Sequence, residues 1–133
     1  LKENEKIIKE GFLHYRGWFN KPVLSTCFGK IYLTNQRLFL EYFLLGIPTT
    51  NKVYGLFKRE IEIPLSKIKD VKKVLPDTIR LDYMTNGKLE TMSFVPYPFP
   101  WKTIATFFKS RFTTNIIKLA NEWVEEIRKL LKM

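Results

Sequence analysis

The sequence predicts a mainly β fold with one helix at its C-terminal end: a partly open antiparallel β-barrel of about seven strands, followed by an amphipathic α-helix. Three observations carry this expectation. Apolar residues before Pro96 recur with a period close to two, Asn86-Gly87 stands between two such runs, and after Pro100 the period becomes helical. With 133 residues there is room for one compact domain. It reads as a barrel over 1–95 and a proline-rich connection with a helical region over 96–133.

Gly11 to Trp18 reads as the first strand. Ile31 and Leu33, then Leu38, Leu40 and Tyr42, alternate with Lys30, Tyr32, Phe39 and Glu41, giving two half-buried strands joined at Asn35 and Gln36. Ile61, Ile63 and Leu65 alternate with Glu60 and Glu62. Lys69 to Leu75 adds a further strand, and Ile79, Leu81 and Tyr83 alternate with Arg80 and Asp82. Asn86-Gly87 favours the positive φ angles of a type I′ hairpin turn, which brings in Leu89 to Val95 as the last strand. An antiparallel set of this size must close, or nearly so, to protect its edges.

Pro96, Pro98 and Pro100 mark the change of regime. Beyond them Ile116, Ile117, Ala120, Trp123, Val124, Ile127, Leu130 and Leu131 fall at three- and four-residue spacings, with polar residues on the other face. Thr113 or Thr114 is the expected N-cap, and cations crowd the last turn, where the helix dipole favours them. A shorter piece, Trp101 to Lys109, also reads as helical.

Two stretches carry a family likeness. Gly29-Lys30-Ile31-Tyr32-Leu33-Thr34-Asn35-Gln36-Arg37-Leu38 resembles the Gly-x-apolar-Tyr-Leu-Thr-x-x-Arg-apolar hairpin of GRAM domains and related pleckstrin-homology-like (PH-like) domains. Ile63-Pro64-Leu65-Ser66-Lys67-Ile68-Lys69-Asp70-Val71 is similar to their Ile-Pro-x-x-x-Ile-x-x-Val step, and Glu5-Lys6-Ile7-Ile8 to their opening. The resemblance covers residues 5 to 95 and departs at Pro96 to Phe112, which is longer and more aromatic than the usual connection. It implies a PH-like barrel whose helix plugs one end, serving as a scaffold that recognises phospholipid headgroups or proteins. Fold alone does not choose between those.

On that strand order, three connections lie at the open end. Trp18 to Cys27 carries Trp18, Phe19 and Lys21; Leu45 to Phe57 carries Leu45, Ile47, Lys52, Tyr54 and Phe57; Thr85 to Lys88 carries Lys88. Lys58 and Arg59 follow directly. Aromatic and aliphatic tips beside cations suit a membrane interface, where each Lys near an anionic surface contributes ~1 kcal/mol. The chain as a whole carries 23 Lys and Arg against 13 Asp and Glu, a formal charge of +10, which favours anionic partners. The expected headgroup or anion ligands are Lys21, Lys52, Lys58, Arg59 and Lys88, and the expected membrane contacts are Trp18, Phe19 and Ile47. The alternative is that Leu45 to Phe57 folds back onto the barrel or forms a dimer contact, and that the lysines only solubilise the surface. Arg16 and Lys30 stand apart among neutral residues, which disfavours specific recognition of a polyphosphorylated headgroup.

Lys67, Lys69, Lys72 and Lys73 form a second basic cluster, read either as a solvated strand face or as a phosphate cradle for a nucleic acid. No reading motif accompanies it. Phe107, Phe108, Lys109, Arg111 and Phe112 read as packing residues or as a surface for stacking bases. A protein partner bound at a sheet edge, or between sheet and helix, is the rival to a membrane.

Catalysis finds few candidates. Cys27 is the sole cysteine and His14 the sole histidine, which excludes an intrachain disulfide and leaves zinc and redox chemistry without ligands. His14 reads as a strand residue, Cys27 as a small buried thiol, and Glu60 with Glu62 as a solvated face. No Gly-rich phosphate loop is present. The expectation is a non-enzymatic module without cofactor or metal, cytoplasmic and peripheral to a membrane. The apolar stretch Leu38 to Ile47, broken by Glu41, falls short of the ~20 residues a spanning helix needs. The chain opens at Leu1 rather than Met, which leaves room for a preceding segment.

Overall fold

The computed structural model describes residues 2–18, 27–48, 53–97 and 114–132. The alternating runs form seven strands: β1 (Ile7–Trp18), β2 (Phe28–Thr34), β3 (Arg37–Pro48), β4 (Val53–Pro64), β5 (Ile68–Leu75), β6 (Thr78–Thr85) and β7 (Lys88–Tyr97). A helix, α1 (Thr114–Leu131), follows. The strands pair antiparallel in the order β4-β3-β2-β1-β7-β6-β5. The sheet stays open between β4 and β5, which the 3-10 turn Leu65–Lys67 joins.

The residues expected to face inward do so. Ile31, Leu33, Leu38, Leu40, Ile79 and Leu81 are fully buried, and Ala120, Trp123, Val124 and Ile127 of α1 close over the same core. Lys9 lies across the Trp123 ring, 5.4 Å from its centre, with its ammonium 3.9 Å from Glu122. On the edge strand β5, Arg128 Nε donates to the Val71 carbonyl (3.0 Å), and the Val71 N–H donates to Asp70 Oδ1 (2.9 Å). Backbone groups that would template another strand are thereby occupied at that residue.

Two expectations are revised, and one strand is buried more fully than its neighbours. The stretch from Leu45 to Phe57 is hairpin rather than loop, because β3 runs to Pro48 and β4 begins at Val53. Pro96 belongs to β7 opposite Leu13; the β6 ladder has already ended at Phe94, so a missing donor breaks no rung on that side. β1 is buried on both faces over its central residues: Leu13 and Tyr15 enter the main core, while Phe12 joins Phe28, Val95, Tyr97 and Ile116 in a second cluster. His14 is buried as well and stacks on Phe28, with ring centres 4.7 Å apart. Thr114 begins α1, whereas Thr113 and Trp101 to Lys109 lie outside the described residues. The turn at Asn86 (φ 51°) and Gly87 (φ 75°) has the positive φ pair expected of type I′.

The segments that carry the family likeness meet at one place. Glu5 has no side-chain exposure and takes a two-point contact from Arg37, Nε to Oε2 at 2.8 Å and Nη2 to Oε1 at 3.2 Å. The Thr34 hydroxyl donates to Glu5 Oε2 (2.7 Å) and accepts from the N–H groups of Gln36 and Arg37 (3.1 and 3.0 Å). Asn35 Oδ1 accepts from the Lys6 N–H and its Nδ2 donates to the Asn4 carbonyl, at 2.8 and 3.0 Å. Arg37 Nη1 also lies 3.1 Å from Glu62 on β4, and the Leu65 N–H donates to the Gln36 carbonyl at 3.0 Å.

The Arg37 guanidinium, then the Lys2 N–H and the Thr34 hydroxyl, hold the Glu5 carboxyl at about 2 against an ordinary 4.5. A lowered folded-state value contributes stability above pH ~4.5 that is lost as pH falls through the folded value. Thermal melts from pH 7 to pH 2 are therefore expected to show a falling midpoint below pH ~4.5. Glu5→Gln lowers the midpoint at pH 7 by several degrees and flattens that acid limb. A Cβ at Gly29 would run into the Glu41 carbonyl oxygen and the Tyr42 Cα on β3. Gly29→Ala is expected to destabilise by about 1–3 kcal/mol in a urea titration, the usual range for overpacking.

Candidate functional site

Backbone pairing places the C-terminal ends of β1 and β3 and the N-terminal ends of β2 and β4 at one end of the sheet. There the β3–β4 hairpin runs on with apolar side chains turned outward. Residues directly opposite one another share a face, so Phe43↔Lys58 and Leu45↔Leu56 form a ladder on the outer side, with Tyr54 two residues before Leu56 on the same face of β4. Leu45, Tyr54 and Leu56 are 45%, 54% and 62% exposed. Scattered exposed apolar residues are ordinary, but these are neighbours on one hairpin end.

Phe57 adds to them. It has φ 60°, the left-handed region, which costs a residue with a Cβ roughly 1–2 kcal/mol. The register steps from Phe43↔Lys58 to Leu45↔Leu56 without pairing Phe57, and its ring is 60% exposed. A regular pleat would have turned it inward beside Leu44. Leu56 escaped the sequence reading because a stretch taken as loop has no faces; the alternation Tyr54, Leu56, Lys58, Glu60 was the available signal.

The expected cations are dispersed. Lys58 lies between Glu41 (3.2 Å) and Glu60 (3.4 Å), and the hydrogen bond to Glu41 leads the effects that raise its pKa. Arg59 is exposed on the opposite face of β4, across from Tyr42, with Nη1 donating to the Lys58 carbonyl at 3.1 Å. Lys88 opens β7 after the type I′ turn. That turn lines a cleft of about 470 Å³ with Pro64, Ser66, Lys67 and Lys69, at the far end of β4 from Val53. Trp18 and Ile47 lie at the ends of β1 and β3, whereas Phe19, Lys21 and Lys52 lie outside the described residues.

The second basic cluster is also divided. Lys67 and Lys69 belong to the cleft beside the β6–β7 turn, while Lys72 and Lys73 line a larger one, about 640 Å³, between β5 and α1. Phe107 to Phe112 lie outside the described residues. Glu62 binds Lys2 and Arg37, and Glu60 binds Lys58, so both serve ion pairs.

Near Arg59 the barrel is filled by phenols. Tyr15 stacks on Tyr42 with ring centres 4.3 Å apart, and burial pushes both hydroxyls above their ordinary range, so they stay protonated near neutral pH. Cys27 is buried, its sulfur 3.9 Å from the Leu44 carbonyl oxygen. Among the described residues no three His, Cys, Asp or Glu side chains gather to hold a metal ion, and no helix is long and apolar enough to cross a membrane.

No protein-family model matches the sequence, and none of the curated proteins does. Solved structures do match in shape. The DH/PH domains of p115-RhoGEF superpose with a TM-score of 0.56 at 11% identity, over 96% of this chain and 31% of that one. The hSac2 domain from the human phosphoinositide phosphatase Sac2 superposes with a TM-score of 0.55 at 12% identity, over 97% of this chain and 73% of that one. The chain thus spans about a third of the length of the first. At such identities the likeness is one of fold, and the fold is PH-like: a seven-stranded antiparallel open sheet with a C-terminal helix.

Proposed function

We propose that this chain is a non-catalytic, GRAM-type PH-like binding module that associates peripherally with anionic phospholipid surfaces. The exposed hairpin end carries the reading, above all the Phe57 ring held in a left-handed backbone conformation amid Leu45, Tyr54 and Leu56. Strain retained at an exposed bulky residue is a pointer to use. The Sac2 likeness supports the lipid class, since that protein is described as a phosphoinositide phosphatase.

Rough energetics fit weak, reversible docking. Full burial of a Leu or Phe side chain is worth about 1.5–3 kcal/mol, so half-exposed ones contribute roughly 1 kcal/mol each on insertion. Lys21 and Lys52, in the two connections at this end by sequence, add ~1 kcal/mol apiece near an anionic leaflet. Lys58 adds little net field because Glu41 and Glu60 offset it.

Sedimentation with phosphatidylserine and with phosphatidylcholine vesicles, at low and moderate salt, tests this. Binding is expected to favour the anionic vesicles and to weaken with salt. Leu45→Ser combined with Leu56→Ser should cut partitioning about tenfold, and Lys21→Gln with Lys52→Gln should reduce the salt dependence. Phe57→Asn, which suits a left-handed residue, should keep or raise the melting temperature while weakening vesicle binding severalfold. Wild-type partitioning in the Leu45 and Leu56 double variant would remove the hairpin end as the docking surface.

A further inference from the structure

We propose that the surface along β5 binds a double-stranded nucleic acid through its phosphates. Two clefts flank this strand. The one beside the β6–β7 turn, about 470 Å³, is lined by Lys67 and Lys69; the one against α1, about 640 Å³, is lined by Lys72, Lys73, Arg128 and Lys129. All of these cations are exposed except the half-buried Lys72. None lies within ion-pair distance of a carboxylate among the described residues.

The acids nearby are mostly engaged elsewhere. Asp70 accepts from the Val71 N–H at 2.9 Å, and Glu62, on the wall of the smaller cleft, is held by Lys2 and Arg37. Among the described residues Glu125 is the one carboxylate lining the larger cleft. Arg128 and Lys129 alone would be accounted for by the negative end of the helix dipole. The lysines from Lys67 to Lys73 would not. Like charges gathered on one surface lower their energy when an anion is laid across them.

Length and lining choose among anions. Strand residues rise ~3.3 Å each, so the stretch from Lys67 to Lys73 extends over roughly 20 Å. A small anion could meet only one of the two clefts. A duplex carries one negative charge per ~1.7 Å of its axis, so a length of ~20 Å presents about a dozen phosphates and can reach both clefts at once. Ser66, Thr85 and Asn86 in the smaller cleft and Asn121 in the larger are neutral polar groups of the kind that contact phosphate and sugar oxygens. Among the described residues no aromatic ring lines either cleft to stack an unpaired base, which favours a duplex, whose bases are stacked already, over a single strand. None of the exposed large apolar side chains lines them, so a bilayer would meet charge here without an anchor.

Fluorescence anisotropy of a labelled DNA duplex of about 20 base pairs, and of an oligothymidine of the same length, titrated with the whole chain between about 50 and 200 mM salt, reads this out. The duplex is expected to bind with a dissociation constant of about 1–100 μM near physiological salt, and the oligothymidine severalfold more weakly. Contacts from all the cations of the two clefts give a slope of log affinity on log salt of about −5. Lys67→Gln with Lys69→Gln, and Lys73→Gln with Lys129→Gln, change exposed residues and should leave the melting temperature within about 2 °C, since exposed charges contribute little to stability. Each pair should flatten the slope by about 2 and weaken the duplex about tenfold. Lys6→Gln, which removes an exposed charge outside both clefts, should leave the slope unchanged. The Leu45→Ser and Leu56→Ser variant should bind the duplex like the parent, which separates this site from the vesicle-docking surface. No duplex binding at the lowest salt, tighter binding of oligothymidine than of duplex, a slope that either cleft pair leaves unchanged, or one that Lys6→Gln flattens as much per charge would overturn the proposal. So would phosphatidylserine vesicles whose binding, rather than the duplex's, falls with the cleft pairs.

Discussion

A carboxylate shut away from solvent, that of Glu5, governs how this chain closes. Its oxygens are shared among Arg37, Thr34 and the Lys2 N–H, so one group ties the lead-in to β1, the β2–β3 turn and, through Arg37 and Glu62, the exit of β4. A charge shut away from solvent persists only where its hydrogen bonds are complete. Completeness is what makes it specific. A one-residue slip of β2 against β3 would carry Thr34 and Arg37 away from the carboxylate and turn Ile31, Leu33, Leu38 and Leu40 to the wrong face at the same time. Charge pairing and hydrophobic alternation therefore select the same register.

Once β1 is held at its start, it can serve as the middle strand of the sheet. β2 and β7 both pair with it, and both of its faces are covered over residues 12 to 15. The two edges, β4 and β5, then fall on opposite borders of an open sheet and are treated differently. Arg128 and Asp70 blunt β5 at Val71 under the cover of α1. β4 is guarded by charge over Lys58 to Glu62 and left apolar over Tyr54 to Phe57. Natural edge strands are protected by charge, cover or distortion, and β4 has charge over only part of its length.

Most of the fold was readable because most strands are buried on one face only. The Ile31/Leu33, Leu38/Leu40 and Ile79/Leu81 pairs alternate cleanly, Asn86-Gly87 names its own turn, and α1 shows its apolar stripe. The misread places share a cause, which is that burial did not follow the simple period. In the β3–β4 hairpin end, apolar residues occupy the outer face as well as the inner, so the inward-apolar, outward-polar contrast that marks the other strands is missing there. At Pro96 the local rule against proline in strands yields to the fact that β6 has ended. Site legibility was poorer for a related reason. Sequence places Lys67, Lys69, Lys72 and Lys73 in one cluster, yet the start of β5 sends the first two toward the β6–β7 turn and the last two toward α1. Lys58 looked like a free cation because Glu41, its partner at 3.2 Å, comes from another strand.

The same accounting bears on the charges of the described residues in a chain whose formal surplus is +10. Glu5, Glu41, Glu60, Glu62, Asp82 and Glu122 each lie in an ion pair within or between strands or between sheet and helix, and Asp70 caps a backbone N–H. These acids are committed to holding the barrel, and their basic partners are committed with them. Among the described residues, six cations outside those pairs, Lys67, Lys69, Lys72, Lys73, Arg128 and Lys129, lie on the surfaces flanking β5. The apolar excess lies instead on the end of the β3–β4 hairpin, where Lys58 is offset by Glu41 and Glu60. Hydrophobic attraction acts only on contact, whereas a surface field reaches about a Debye length, ~8 Å at physiological ionic strength. Among the described residues, then, the long-reaching and the short-reaching attraction act from different parts of the surface, so neither has to displace the other.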